Sequence, residues 1–261
     1  MFGLDTPVLC ENCFKTVGEL TTDDLILNPL GAFSHIEEII DVEEEDAFVV
    51  RFSTDENVIV SPYTQLPVYN LQYRGENEVI RYVKDLIGGK YATTKTLPII
   101  NTNETYKGYY YDVGVDMPYA ITDEMLMLPW RDKTDLMLGI LDTPLVTLVN
   151  ENGIYEIMPS SYEIEKGLVS LFRTFGYPVM CATRQNRRIL RFGIQNLDVI
   201  NDIRYKDRYK ELSIKPPYNR HRFMPVNGVI QLNKKIAMRK IVVSGGFFLV
   251  GYSMIPVYCA K

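Results

Sequence analysis

ITDEMLMLPWRDKTDLMLGILDTPLVTLVNENGIYEIMPSSYEIEKGLVSLFRTFGYPVMCATRQNRRILRFGI, residues 121–194, decides the fold class. Leu136, Met137, Ile140 and Leu141 recur at helical spacing, and so do Ile164, Leu168, Leu171 and Phe172. Strand-like segments follow each. VTLVNENGIYEIM (146–158) alternates as a hairpin turning at 150–153, and YPVMCAT with RRILRFGI makes a second hairpin around 184–188. Ser160 and Ser161 read as caps of the second helix, with Glu163 and Glu165 in its first turn and Gly176 as its stop. The stretch therefore predicts a helix-strand-strand-helix-strand-strand unit.

Outward from it, the composition is that of an ordinary globular chain: 261 residues, 46% hydrophobic and 23% charged, enough for one large or two smaller cores. No apolar run is long enough to cross a bilayer, and MFGLDTPVLCENC lacks the basic start and apolar stretch of a signal peptide. The expectation is a cytoplasmic protein, or one inside an assembly such as a virion, without a membrane partner. The net charge of −5 hides a division. Residues 184–240 carry 15 Lys or Arg against 4 Asp or Glu, leaving a net of −16 for the rest. Such a basic segment suits DNA or an acidic protein partner, and the aromatics in RYKDRYKELSIKPPYNRHR suit either.

Cys10, Cys13, Cys181 and Cys259 make no disulfide framework in a chain of this size. Cys10-Glu11-Asn12-Cys13 has C-x-x-C spacing, half of a zinc site or a redox pair. With no second C-x-x-C, and only His35 and His221, buried or edge thiols are the plainer reading, and no metal or cofactor is expected.

Residues 1–72 read as short strands at 6–9, 24–28, 35–42, 47–53, 58–61 and 66–70, with the acidic run 43–46 as a solvated turn. GENEVIRYVKDLIG (75–88) places Val79, Ile80, Val83, Leu86 and Ile87 on one helical face before a glycine stop. KYATTKTLPIINT is strand-like, and YKGYYYDVGVDM (106–117) is an aromatic-rich strand or loop.

LMLGILDT (136–143), with its lead-in ITDEMLMLPWRDKTDLM, resembles the LAGLIDADG motif of intein-borne homing endonucleases. The resemblance implies that Gly139 lets two helices pack closely. It also implies that the metal-holding acid belongs at Pro144, which offers no oxygen to a hard cation. YKGYYYDVGVDM stands where a first, worn-down motif is expected, with Gly108 as its glycine. In that family the paired hairpins lie in a DNA groove, which makes Arg184, Arg187, Arg188 and Arg191 the implied contacts.

FGLDTPVL, GELTTDDLILNPLG and AFVVRFSTDENVIVSPYTQLPVY in turn resemble the opening strands of an intein or Hedgehog-type Hint domain, and MRKIVVSGGFFLVGYSMIPVYC (238–259) its closing ones. Splicing in that family needs a thiol or hydroxyl on the first residue, an assisting histidine, and a terminal His-Asn. The matching positions here hold Met1, Thr64 and Tyr258-Cys259.

The expected fold is α+β, a β-rich Hint-like module made by both chain ends (1–72 and 236–261) around an α/β LAGLIDADG-like insert (73–235, one complete repeat at about 121–205). The expected function is that of a catalytically inactive, domesticated intein, not an enzyme. It would act as a structural or interaction subunit with other proteins of a larger assembly, a phage virion being the specific expectation. The alternative is a LAGLIDADG-type DNA-binding protein or homing endonuclease using the basic segment 184–240.

Overall fold

The computed structural model describes residues 1–72, 78–94, 96–101, 105–117, 119–150, 154–193 and 223–259. The chain separates into one unit made of Met1–Leu97 with Phe223–Lys261, and a second made of Pro98–Arg222. Both ends of the sequence thus enter one β-rich body, in a protein of α+β class. The unit boundaries fall at 97/98 and 222/223, whereas the sequence reading set them at 72/73 and 235/236.

The first unit starts with β1 (Phe2–Gly3), β2 (Pro7–Leu9), β3 (Phe14–Thr16), β4 (Leu25–Leu27), β5 (Phe33–Phe52), β6 (Asn57–Val60), β7 (Gln65–Asn70), β8 (Val79–Tyr82) and β9 (Tyr91–Thr93). The second unit holds α1 (Tyr110–Val115), α2 (Asp123–Leu126), α3 (Trp130–Leu141), β10 (Val146–Asn150), β11 (Ile154–Ile157), α4 (Tyr162–Thr174), β12 (Val179–Arg184) and β13 (Arg187–Gly193). The chain returns to the first unit with β14 (Val226–Val243), β15 (Phe247–Val250) and β16 (Ile255–Tyr258). No helix among the described residues is long and apolar enough to cross a membrane.

In the first unit β14 pairs with β1, β1 with β6, β6 with β5, and β5 again with β14, so the sheet closes on itself. Closure leaves no open edge among these four strands and wraps a core that includes Phe2, Phe48, Val50, Phe52, Val60, Phe248 and Val257. A second sheet runs β15-β16-β7-β8.

The acidic run is not a turn. It lies inside the 20-residue β5, where Asp46 faces Lys235 and Asp41 faces Arg239 on β14, and register shifts absorb the extra residues on both strands. Cross-strand cations made strand tolerable where composition alone read as loop. Nor do the described residues of 75–88, from 78 onward, form an α-helix: β8 pairs with β7 from Val68↔Val79 to Gln65↔Tyr82, and a short 3-10 turn, Val83–Leu86, follows. The β-branched and aromatic run Val79-Ile80-Arg81-Tyr82 suits a pleated surface, and of the expected apolar face only Val83 and Leu86 are buried, with Ile87 54% exposed.

Arg239 on β14 fastens this unit. Its Nε donates to Asp41 Oδ1 at 2.6 Å, and its Nη1 lies 3.1, 2.9 and 3.1 Å from the carbonyl oxygens of Val17, Gly18 and Leu20. Those carbonyls belong to a 3-10 turn, Val17–Glu19, and to its C-cap Leu20, so one guanidinium gathers the whole turn. Arg239→Met is expected to cost about 2 kcal/mol in chemical denaturation, with Arg239→Lys recovering only part because one ammonium cannot reproduce the fork.

In the second unit the sheet order is β10-β11-β13-β12, all antiparallel. Ser161 caps α4, its hydroxyl accepting from the Ile164 N–H at 3.2 Å. Phe172 of α4 stacks on Phe192 of β13 at 3.9 Å between centroids, so the helix covers one face of the sheet. The hairpin turn expected within 150–153 falls largely outside the described residues, as do 194–222, most of the basic segment.

Candidate functional site

The positions singled out at the two chain ends come together. Met1 O accepts from the Ser61 N–H at 3.0 Å, and the turn from Ser61 to Thr64 is closed by Thr64 N–H to Ser61 O at 3.1 Å. The Met1 nitrogen donates to Thr64 Oγ1 at 3.0 Å, while the Thr64 hydroxyl donates to Met1 O at 2.8 Å. Ser61 Oγ lies 3.4 Å from Thr64 Oγ1. Burial lowers the Met1 amine to about 5. Tyr258 pairs with Gln65 across β16 and β7, beside Thr64, and its ring packs on Phe247 at 4.8 Å. The Cys259 N–H donates to Gly246 O at 2.8 Å, and burial pushes its thiol above the ordinary range. Ser61 carries no signal of its own in the SPYT stretch, and only the folded turn brings it to the border of the cluster.

Chemically the cluster is mild. A threonine hydroxyl does not titrate near neutrality and cannot carry a proton to and fro as an imidazole does. A thioether has no proton to lose and no lone pair able to attack a carbonyl under these conditions. The one thiol present is kept protonated by burial.

The second cluster is the helix pair α1 and α3. Gly139 does allow close packing, but its neighbour is Gly114, not Gly108. A Cβ on Gly139 meets the Tyr111 carbonyl oxygen at 2.1 Å and Gly114 Cα at 2.9 Å, and a Cβ on Gly114 meets the Leu136 carbonyl oxygen at 2.3 Å. Residues 110–115 are therefore helical, not strand or loop. Gly108 lies in the turn before α1, where its N–H and that of Lys107 donate to the buried Asp132 at 3.0 to 3.1 Å. Tyr106 OH donates to Asp135 Oδ2 at 2.6 Å.

At the other end of α3 Tyr111 OH donates to Asp142 Oδ2 at 2.8 Å, so the acid nearest the exposed Pro144 has a phenol hydrogen bond. Among the described residues no group of three or more His, Cys, Asp or Glu is placed to hold a metal ion.

The arginines divide. Arg188 turns to the helix-covered side, its Nε and Nη2 donating to the buried Glu165 at 3.0 and 2.5 Å. Arg191 shares the opposite face with Arg187 by strand alternation and binds Glu156 at 2.5 Å. Arg184 pairs with Arg187 directly across the hairpin and is exposed, as Arg187 is. Removing Arg188 leaves the Glu165 carboxylate buried without its cation. Arg188→Ala is expected to lower the unfolding free energy of this unit by about 2 kcal/mol, and Arg184→Ala and Arg187→Ala by less than about 0.5 kcal/mol. Urea unfolding of the three variants checks the split.

No protein-family model matches the chain. No curated protein matches it either. Among solved structures it is similar to the Msm DnaB1 intein splicing domain bound with zinc, at 12% identity over 99% of each chain with a TM-score of 0.44. It is similar to the MchDnaB-1 intein at 10% identity over 99% of each chain, TM-score 0.39. The gp41-1 intein follows at 7% identity over 98% of this chain and 96% of that one, TM-score 0.34. All three are inteins. At TM-scores of this size the functional reading rests on the chain's own residues.

Proposed function

We propose that this chain is an intein-like protein that has given up splicing and persists as a structural or interaction subunit of a larger assembly, with a virion as the specific candidate. The observation that carries the reading is the hydrogen-bonded Met1–Thr64 pair beside the Tyr258↔Gln65 pairing that brings in the strand ahead of Cys259: the positions converge as splicing requires, on residue types unsuited to it. Acyl transfer needs a nucleophile on the first residue, and Met1 offers a thioether. Assistance needs an imidazole, and Thr64 offers a hydroxyl already engaged with Met1 O. Chain release needs an asparagine amide to cyclise, and the matching position holds Cys259. The glycine-to-glycine contact of α1 and α3 supports an endonuclease-type ancestry for the second unit, and Pro144 at the metal position supports loss of its cleavage.

Incubation of the full chain with small thiols or hydroxylamine, followed by intact mass, tests the loss of chemistry. A single 30.1 kDa species that does not shorten is expected. Time-dependent cleavage at either end of the matched region, abolished by Cys259→Ala, contradicts it.

A second reading, DNA binding without cleavage, is favoured by one observation: Arg184, Arg187 and Arg191 share the face of the sheet that α4 leaves uncovered. The double variant Arg184→Ala, Arg187→Ala separates the readings. A DNA binder loses affinity and its salt slope falls by about two, whereas a protein-binding subunit shows no retention on duplex DNA before or after the change.

A further inference from the structure

We infer that Cys10 and Cys13 form a reversible thiol–disulfide site, a redox modification point on the unit that the two chain ends build. β2 and β3 pair in register from Pro7↔Thr16 to Leu9↔Phe14, which brings the two cysteines to the same end of one hairpin. There the Cys10 N–H donates to the Cys13 carbonyl oxygen at 2.9 Å. Bond lengths along that bridge hold the two Cα atoms within about 6.8 Å, inside the range a disulfide spans without backbone movement. Both thiols are free. They are also unequal: Cys10 is 4% exposed and bridges to Ile26 on the neighbouring strand, whereas Cys13 is half-exposed.

That inequality assigns the order of events. Cys13, open to solvent, attacks a sulfur of a small-molecule disulfide as its thiolate, breaking the S–S bond, forming a mixed disulfide and releasing one small thiol. Cys10 then gives up its proton to water, attacks the Cys13 sulfur and releases the second small thiol. Two protein thiols are oxidised, and one external disulfide is reduced to two thiols. The Cys10 thiol donates a weak hydrogen bond to the Val8 carbonyl oxygen at 3.9 Å, and the Asp24 carboxylate disfavours its thiolate more than the nearby Lys15 ammonium favours it. Lys15 is itself fixed by Asp24 at 2.5 Å. Burial first, and the Asp24 carboxylate next, push the Cys10 thiol up to about 12. A high-pKa thiol is a poor leaving group, so the disulfide reopens slowly, as an external thiol attacks the exposed Cys13 sulfur and Cys10 leaves.

The test uses the unmodified full chain, folded, treated with oxidised glutathione, then unfolded, alkylated with N-ethylmaleimide and mapped by mass. The expected product is lighter by two hydrogens, with an internal disulfide in the peptide holding Cys10 and Cys13, and alkyl label on Cys181 and Cys259. Cys10→Ala is expected to stop at a glutathione adduct on Cys13, which excess glutathione removes. Three results overturn the assignment: alkyl label on both Cys10 and Cys13, a wild-type chain that halts at the mixed disulfide, or a disulfide from either residue to Cys259 or Cys181.

Discussion

Gly139→Leu unfolds the second unit. The α1–α3 contact has no room for even one methyl group, and the atoms in the way are the Tyr111 carbonyl oxygen at 2.1 Å and the Gly114 and Val115 backbone at 2.9 Å. Backbone within a hydrogen-bonded helix cannot step aside as a flexible side chain does, so the helices must separate. Leu136, Met137, Leu138, Ile140 and Leu141 are all essentially buried and lose their partners with it. The expected loss is at least about 3 kcal/mol, a large part of the stability of a single domain. Trp130 is the only tryptophan and packs on Phe175 at 5.0 Å, so its fluorescence reports this unit during urea unfolding. Gly114→Ala is expected to shift the same transition in the same direction. An unchanged midpoint for both contradicts the packing.

The second large effect is on pH dependence, and Lys133 sets it. Its side chain is fully buried in α3, with Nζ donating to the Ile99 carbonyl at 2.9 Å and the Leu126 carbonyl at 3.3 Å. Burial lowers this amine from 10.5 to about 7. A neutral amine has two N–H bonds, and both have acceptors, so the uncharged form is well housed where the charged one is not. The folded state thus binds the Lys133 proton less tightly than the unfolded chain does. The Lys133 contribution to stability is lowest, with the penalty fully present, below about pH 7, and rises from there towards pH 10.5 while the unfolded lysine stays protonated. One such group contributes about 1.4 kcal/mol per pH unit across that window. Urea midpoints followed by Trp130 fluorescence between pH 7 and pH 9.5 are expected to climb, and Lys133→Met to remove this part of the slope while keeping the α3 packing. A Lys133→Met slope equal to that of the unmodified chain contradicts the account.

What the sequence made legible was periodic. The second helix of the unit was readable with its Ser161 cap, and the hairpin around 184–188 with its arginines, because period and caps are local. Gly139 was legible as a packing glycine, but its partner was not. The six residues of α1 give too little periodicity to outweigh three consecutive tyrosines, and only the Cβ clash identifies Gly114. The long β5 was read as two strands because an acidic run has no strand propensity of its own. Its partners Lys235 and Arg239 lie nearly two hundred residues away. Val79-Ile80-Arg81-Tyr82 fits a helical face and a strand equally, and pairing with β7 decided it.

The site divides in the same way. Residue types at Met1, Thr64 and Cys259 were readable one by one, but their convergence depends on Met1 bonding Thr64 and on β16 pairing with β7 beside it, a long-range fact. Arg188 looked like its neighbours in the sequence, and only the buried Glu165 separates it from them. Lys133 carried no signal at all: a lysine between two aspartates reads as solvated helix surface, and the fold buries it under Trp130 and Phe175.

Native fractionation tests the central claim most directly. The protein is followed by size, undisrupted, from the cells or particles that make it, and whatever co-migrates is identified and counted. An inactive intein-like subunit is expected in a particle far larger than its own 30.1 kDa, at fixed stoichiometry to named neighbours and insensitive to nuclease. Migration as a free 30.1 kDa chain, or in a complex that nuclease dissolves, contradicts the subunit account and leaves the arginine face of the second unit as the working surface.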